Sequence, residues 1–97
     1  MPTYEAQRRF ERDFQKLSPQ QRAAFRKVLV EDFIPALNSL PFPPKLRVKR
    51  VVAAGKVWEM TWAPDGRATF QYGPERTEGE PHVIWRRVGT HAIFKEP

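Results

Sequence analysis

No cysteine occurs in the 97 residues, so disulfide staples, thiolate nucleophiles and cysteine metal sites are excluded. Histidine is almost as scarce, with His82 and His91 alone. A strand over 82–88 would hold the two ~20 Å apart, at ~3.3 Å per residue, which argues against a two-histidine acid–base pair and against a metal site. His82 then reads as the residue that opens the strand. Long apolar runs are also missing. None approaches the ~20 residues that span a bilayer, and Met-Pro-Thr-Tyr-Glu carries no apolar signal region. A soluble, cytoplasmic protein with no membrane contact is expected. There is no Gly-rich phosphate loop, no serine in a nucleophile motif and no carboxylate pair of glycosidase type. Nothing in the sequence asks for a cofactor.

Positive charge is plentiful. Lysine and arginine total 17 against 11 acids, a net charge of +6. The excess lies mainly in residues 41–97, which carry 10 basic and 6 acidic residues, against 7 and 5 in residues 1–40. Such a balance suits a polyanionic partner. Ten prolines cluster at boundaries, notably Pro41, Pro43, Pro44, Pro64, Pro74 and Pro81. The length fits one small domain over 1–97 with a single modest core.

Residues 4–17 read as a helix, with Phe10, Phe14 and Leu17 on one face. Ser18-Pro19-Gln20-Gln21 is a helix start with a capping box. A second helix is predicted from Pro19 to about Ala36, kinked or ended by Pro35. The prolines of 38–44 make a linker. Lys45 to Val51 alternates as an extended segment with a cationic face of Lys45, Arg47 and Lys49 and with Arg50 near its end. Strands are predicted over 57–62 and 67–72, joined by Ala63-Pro64-Asp65-Gly66. A loop follows with an acidic tip of Glu75, Glu78 and Glu80. The order predicts an α+β fold, an N-terminal antiparallel helix hairpin packed on a three- to four-stranded antiparallel sheet.

The last strand carries most of the chemistry. Val83, Ile84, Trp85 and Val88 favour extended backbone between Pro81 and Gly89. Strict alternation puts Val83, Trp85 and Arg87 on one face and Ile84, Arg86 and Val88 on the other. Two arginines in such a strand need water or an anionic ligand on one sheet face. Arg87-Val-Gly-Thr-His91-Ala-Ile-Phe94 resembles the C-terminal signature of the RelE/ParE superfamily of bacterial toxins, and within it the YafQ-like branch. The resemblance implies the toxin of a type II toxin–antitoxin pair, a ribosome-dependent messenger-RNA endonuclease. It implies a cognate antitoxin, in a hetero-oligomer with it, and ribosome and message as further partners. It also implies an opening strand, for which residues 1–4 leave little room.

Metal-free RNA cleavage needs a base for the 2′-OH, charge stabilisation at phosphorus and an acid for the leaving 5′-oxygen. By the resemblance, His91 is the acid, and Arg87 and Arg67 stabilise the transition state. Lys45, Arg47, Lys49, Arg50 and Arg86 hold RNA, and Phe94 stacks on a base. Pro44 stands near the place where some relatives carry a candidate base, so no base is assigned; Glu59 is the carboxylate that could serve. Two alternatives stay open: a gyrase-inhibiting toxin of ParE type, for which no histidine is needed, and a non-catalytic basic RNA-binding module. In plain structural terms, His91 would be a capping histidine and the arginines a solvated face.

Overall fold

The computed structural model describes residues 2–97. In chain order they form β1 (Thr3–Ala6), α1 (Arg8–Lys16), α2 (Pro19–Val28), a π-helical stretch (Leu29–Phe33), α3 (Ile34–Leu37), β2 (Lys49–Arg50), β3 (Trp58–Ala63), β4 (Gly66–Gly73) and β5 (His82–Gly89). Short 3₁₀ turns cover Pro44–Leu46, Val52–Ala54 and His91–Lys95. The sheet order is β1-β5-β4-β3-β2, antiparallel except for β1, which runs parallel to β5. The α+β architecture with a helix hairpin on one sheet face is therefore the observed one. No helix among the described residues is long and apolar enough to cross a membrane.

The helix hairpin forms as the sequence reads. Ser18 Oγ accepts from the Gln21 amide at 3.1 Å, and Gln21 Oε1 accepts from the Ser18 amide at 2.8 Å. Arg22 then donates to the Phe14 and Gln15 carbonyls at 3.1 and 2.6 Å, closing the end of α1 that lacks helical partners. Pro35 does not end the second helix. The backbone widens into the π stretch, where the Ile34 amide bonds the Leu29 carbonyl, five residues back. That widening accommodates a residue with no donor of its own.

Phe33 is fully buried, 5.1 Å ring to ring from both Phe70 and Trp85 and 5.2 Å from Phe42. Phe25 meets Trp62 and Trp85 edge-on at 5.8 and 5.6 Å. Each such aromatic pair adds roughly 0.5–1.5 kcal/mol beyond its area burial. Trp62 and Trp85 thus belong to the core rather than to a stacking surface.

Three local readings change. First, the sheet has five strands rather than three or four, because residues 3–6 are a strand and α1 starts at Arg8. Thr3 to Ala6 has no apolar alternation. It is held by ladder bonds such as Gln7 amide to Trp85 carbonyl at 2.9 Å, which sequence pattern does not register. Second, the segment 45–51 forms a strand only at Lys49–Arg50. Arg47 takes a left-handed φ of 48° after the turn Pro44–Leu46, and this breaks the alternation. Third, β5 is bulged. Thr69 pairs with Arg87 but Phe70 pairs with Trp85, leaving Arg86 as an extra residue. The bulge resets the alternation, so Val88 joins Val83 and Trp85 in the core. Both arginines stay out of the core, which avoids the burial cost that an unbroken strand would impose on Arg87.

Candidate nucleic-acid interface

The helices cover the sheet face of Met60, Trp62, Ala68, Phe70, Val83, Trp85 and Val88. Alternation turns Glu59, Thr61, Arg67, Thr69 and Gln71 to the other face. In register across four strands, Lys49, Glu59, Thr69 and Arg87 form one row, and Thr61, Arg67 and Gly89 the next.

Arg67 is fixed by its own hairpin. Its Nη1 donates to the carbonyls of Ala63, Pro64 and Gly66 at 3.2, 3.2 and 3.0 Å. It also borders an open groove of about 380 Å³ beside β3, with Lys45, Arg47, Asp32 and Thr61 on the other walls. The structure thus brings Arg67, Lys45 and Arg47 to one groove. Lys45 is 3.0 Å from Asp32 there. Lys49 lies away from them, over Glu59 at 3.8 Å. Arg50 turns to the helix side of β2, donating to the Gly55 carbonyl at 2.7 Å with its guanidinium over Trp58. The cationic face expected of Lys45, Arg47 and Lys49 is therefore split by the left-handed Arg47.

His91 begins the turn after β5 and its side chain is 66% exposed. Thr90 caps that turn, accepting from the Ala92 amide at 3.3 Å. His91 Nδ1 lies 3.4 Å from Asp65 Oδ1, on the tip of the β3–β4 hairpin, and its ring meets Phe94 edge-on at 5.5 Å. Arg67 pairs with Gly89 in the ladder, so the hairpin that carries Arg67 and Asp65 is also the one that faces His91. A cleft of about 150 Å³ between Gln21, Asp65, Gly66 and Thr90 adjoins this spot.

Arg87 is committed elsewhere. Its Nε and Nη2 donate to Asp13 Oδ2 and Oδ1 at 2.6 and 3.2 Å, and its Nη1 donates to the Glu96 carbonyl at 2.9 Å. Asp13 Oδ2 also accepts from the Val88 amide at 3.2 Å. The hydrogen bond to Asp13 holds the Arg87 pKa above its ordinary value, so the guanidinium is permanently charged. Arg86 reaches Gln71 Oε1 at 2.6 Å.

His82 is the opposite case, buried to 1% side-chain exposure. Its Nδ1 is 2.7 Å from Thr3 Oγ1 and its Nε2 is 3.0 Å from Glu5 Oε1, which also accepts from Arg76 at 3.1 Å. The hydrogen bond from His82, helped by Arg76, holds Glu5 below the usual carboxylate range. Among the described residues no group of three metal-ligating side chains occurs. Sequence reasoning missed Asp13 and Asp65 as partners of the site. Asp65 sat in a turn signal that explained it fully, and Asp13 sat among helix charges.

A five-stranded sheet with one parallel edge strand and a helix hairpin on one face is the fold of the RelE/ParE-type toxins, matched over nearly the whole chain. The E. coli DinJ–YafQ toxin–antitoxin complex matches with a TM-score of 0.66 at 15% identity, over 95% of this chain and 94% of that one. The RelBE2 toxin–antitoxin complex from Mycobacterium tuberculosis matches with a TM-score of 0.65 at 17% identity, over 94% of this chain and 100% of that one. A YoeB/ParE toxin from Agrobacterium tumefaciens gives 0.64 at 9% identity, over 92% and 98%. No family model and no curated protein matches the sequence.

Proposed function

We propose that the protein is the toxin of a toxin–antitoxin pair and cleaves messenger RNA on the ribosome. The observation that carries this reading is His91, exposed past the end of β5 between Asp65 and Phe94 and beside the hairpin of Arg67. In the reaction the 2′-oxygen attacks phosphorus as its proton passes to a base. The bond from phosphorus to the 5′-oxygen breaks, and His91 gives that oxygen its proton. Arg67, rigid on three carbonyls, meets the charge that grows on the phosphate. Arg87 adds a fixed positive charge from the same sheet. No base is assigned; Glu59, in register with Thr69 and Arg87 and 3.8 Å from Lys49, is the carboxylate of this face that would be tested for the role. Lys45 and Arg47 line the approach along the groove beside β3, and Phe94 offers a ring for a base. Lys49 and Arg86 add positive charge around this path, whereas Arg50, expected to hold RNA, turns to the helix side of β2 and lies off it.

An antitoxin is the natural partner, since two of the matched structures are toxin–antitoxin complexes. The open sheet face is the surface it would cover. One observation favours a second reading, that of a non-catalytic RNA-binding module: Asp13 already occupies two donors of Arg87. Induced expression with mapping of message ends separates the readings. Cuts within translated messages support cleavage. Growth arrest with a DNA-damage response and intact messages would point to gyrase instead, and no growth effect to the binding module.

A further inference from the structure

The cleft at the hairpin tip has no part in the reaction above. It encloses about 150 Å³ between the first turn of α2, the β3–β4 hairpin and the end of β5, and Gln21, Trp62, Asp65, Gly66, Gly89 and Thr90 line it. Trp62 is only 7% exposed and its ring belongs to the core. Its Nε1 is nevertheless buried with no hydrogen-bond partner among the described residues. An indole N–H can only donate, and a buried donor left unmet is costly. A Cβ on Gly66 would come within 2.7 Å of Trp62 Cε2, the carbon bonded to Nε1. The indole edge that carries the unmet donor therefore lies against the bare backbone of a cleft wall.

Two further donors belong to the same cleft. Gln21 Oε1 is spent on the Ser18 amide at 2.8 Å, which fixes the side chain and leaves its NH₂ to donate. Thr90 Oγ1 accepts from the Ala92 amide at 3.3 Å and keeps its own proton to give. The Asp65 carboxylate is an acceptor only. Three donors with one acceptor suit a planar ring that carries two carbonyl oxygens and a single N–H. The volume sets the size. It equals about five waters at ~30 Å³ each and falls below the ~300–1,000 Å³ of pockets that take drug-sized ligands, so it holds one ring and not a whole nucleotide. We propose that this cleft takes the base of a pyrimidine nucleotide in the message, uracil before cytosine, with Gln21 and Trp62 as specificity-determining donors. Uracil brings two carbonyl oxygens to the donors and its N3–H to Asp65. Cytosine replaces one of those oxygens with an amine, and a purine adds a second ring. Thr90 precedes His91, and Gly89 pairs with Arg67 in the ladder, so a base held here leaves its phosphate beside both. The site rests on the RNA-cleaving reading above and adds base selection to it.

The test uses short 2′-O-methyl RNAs, which lack the attacking hydroxyl: oligo(U), oligo(C) and oligo(A) of one length, followed by fluorescence anisotropy. The parent is expected to bind oligo(U) about tenfold tighter than oligo(A), the scale of one or two added hydrogen bonds, with oligo(C) between them. Gln21→Glu keeps an oxygen for the Ser18 amide but exchanges the NH₂ for a second acceptor, and should bring the three RNAs together. Gln20→Glu, at the adjacent exposed residue, adds the same charge and should weaken all three alike with their order kept. Trp62→Phe removes the N–H and keeps an aromatic ring, and should narrow the preference with oligo(A) binding unchanged. The base site is refuted if the parent binds the three RNAs equally, if either Gln21→Glu or Trp62→Phe keeps the full parental preference, or if Gln20→Glu removes it. RNA bound without base preference removes the site alone and leaves the RNA-cleaving reading standing. If no RNA binds the parent, that reading itself falls, and the base site with it.

Discussion

The two ends of β5 carry the two histidines, and their surroundings are opposites. His82 is sealed between Thr3 and Glu5 and spends both ring nitrogens on tying the parallel edge strand to the sheet. His91 stands in solvent with one distant carboxylate and the edge of a phenyl ring. The same side chain serves as a clamp at one end and is free for proton transfer at the other. What differs is access: a buried ring with both nitrogens engaged cannot meet a substrate, whereas an exposed one with a single weak partner can. The arginines repeat the contrast. Arg67 is braced by neutral carbonyls and keeps its charge for a ligand, while Arg87 is braced by Asp13.

Substitutions at the two ends should separate stability from activity. His82→Ala leaves Thr3 and Glu5 without their partner and opens a cavity, and is expected to cost about 3 kcal/mol in urea unfolding. Cleavage per folded molecule should stay at the parental rate. A specific loss of cleavage in a stable His82→Ala protein would erase the contrast. Asp13→Ala removes the acceptor for Arg87 and the Val88 amide, and should lower stability by about 2 kcal/mol. Because it frees two donors of Arg87, RNA binding should rise rather than fall, as anisotropy would report. Asp65→Asn acts on an exposed, long contact worth at most ~1 kcal/mol, so cleavage should drop by about fivefold at most. The smallest effect is on acid stability. Glu5 titrates below the usual carboxylate range, so its contribution is present above that range and is lost as pH falls through the depressed value. Thermal melts from neutral to strongly acid pH should show Glu5→Gln with a flatter acid limb than the parent; superimposable limbs would remove Glu5 from the clamp.

Much of this arrangement is legible in the chain. Ser18-Pro19-Gln20-Gln21 specifies its capping box locally, and Pro64-Asp65-Gly66 its hairpin, because such signals act within four residues. His91 is legible as a candidate through the resemblance of Arg87 to Phe94 to the toxin signature, and the fold leaves its side chain exposed. What escaped depends on contacts between distant residues. Thr3–Ala6 becomes a strand only because β5 offers an edge. The bulge at Arg86 depends on how Thr69 and Phe70 pack. Asp13 and Arg87 are 74 positions apart, and no periodicity joins them.

The most direct test is single-turnover cleavage of a ribosome-bound message by the parent and by His91→Ala, with thermal melts of both. The parent is expected to cut, and the variant to cut ~10²–10⁴ more slowly at an unchanged melting temperature, the usual loss when a proton-transfer group is removed. Equal rates for the two proteins, or a parent that leaves the message whole, would contradict His91 as the acid of an RNA-cleaving site.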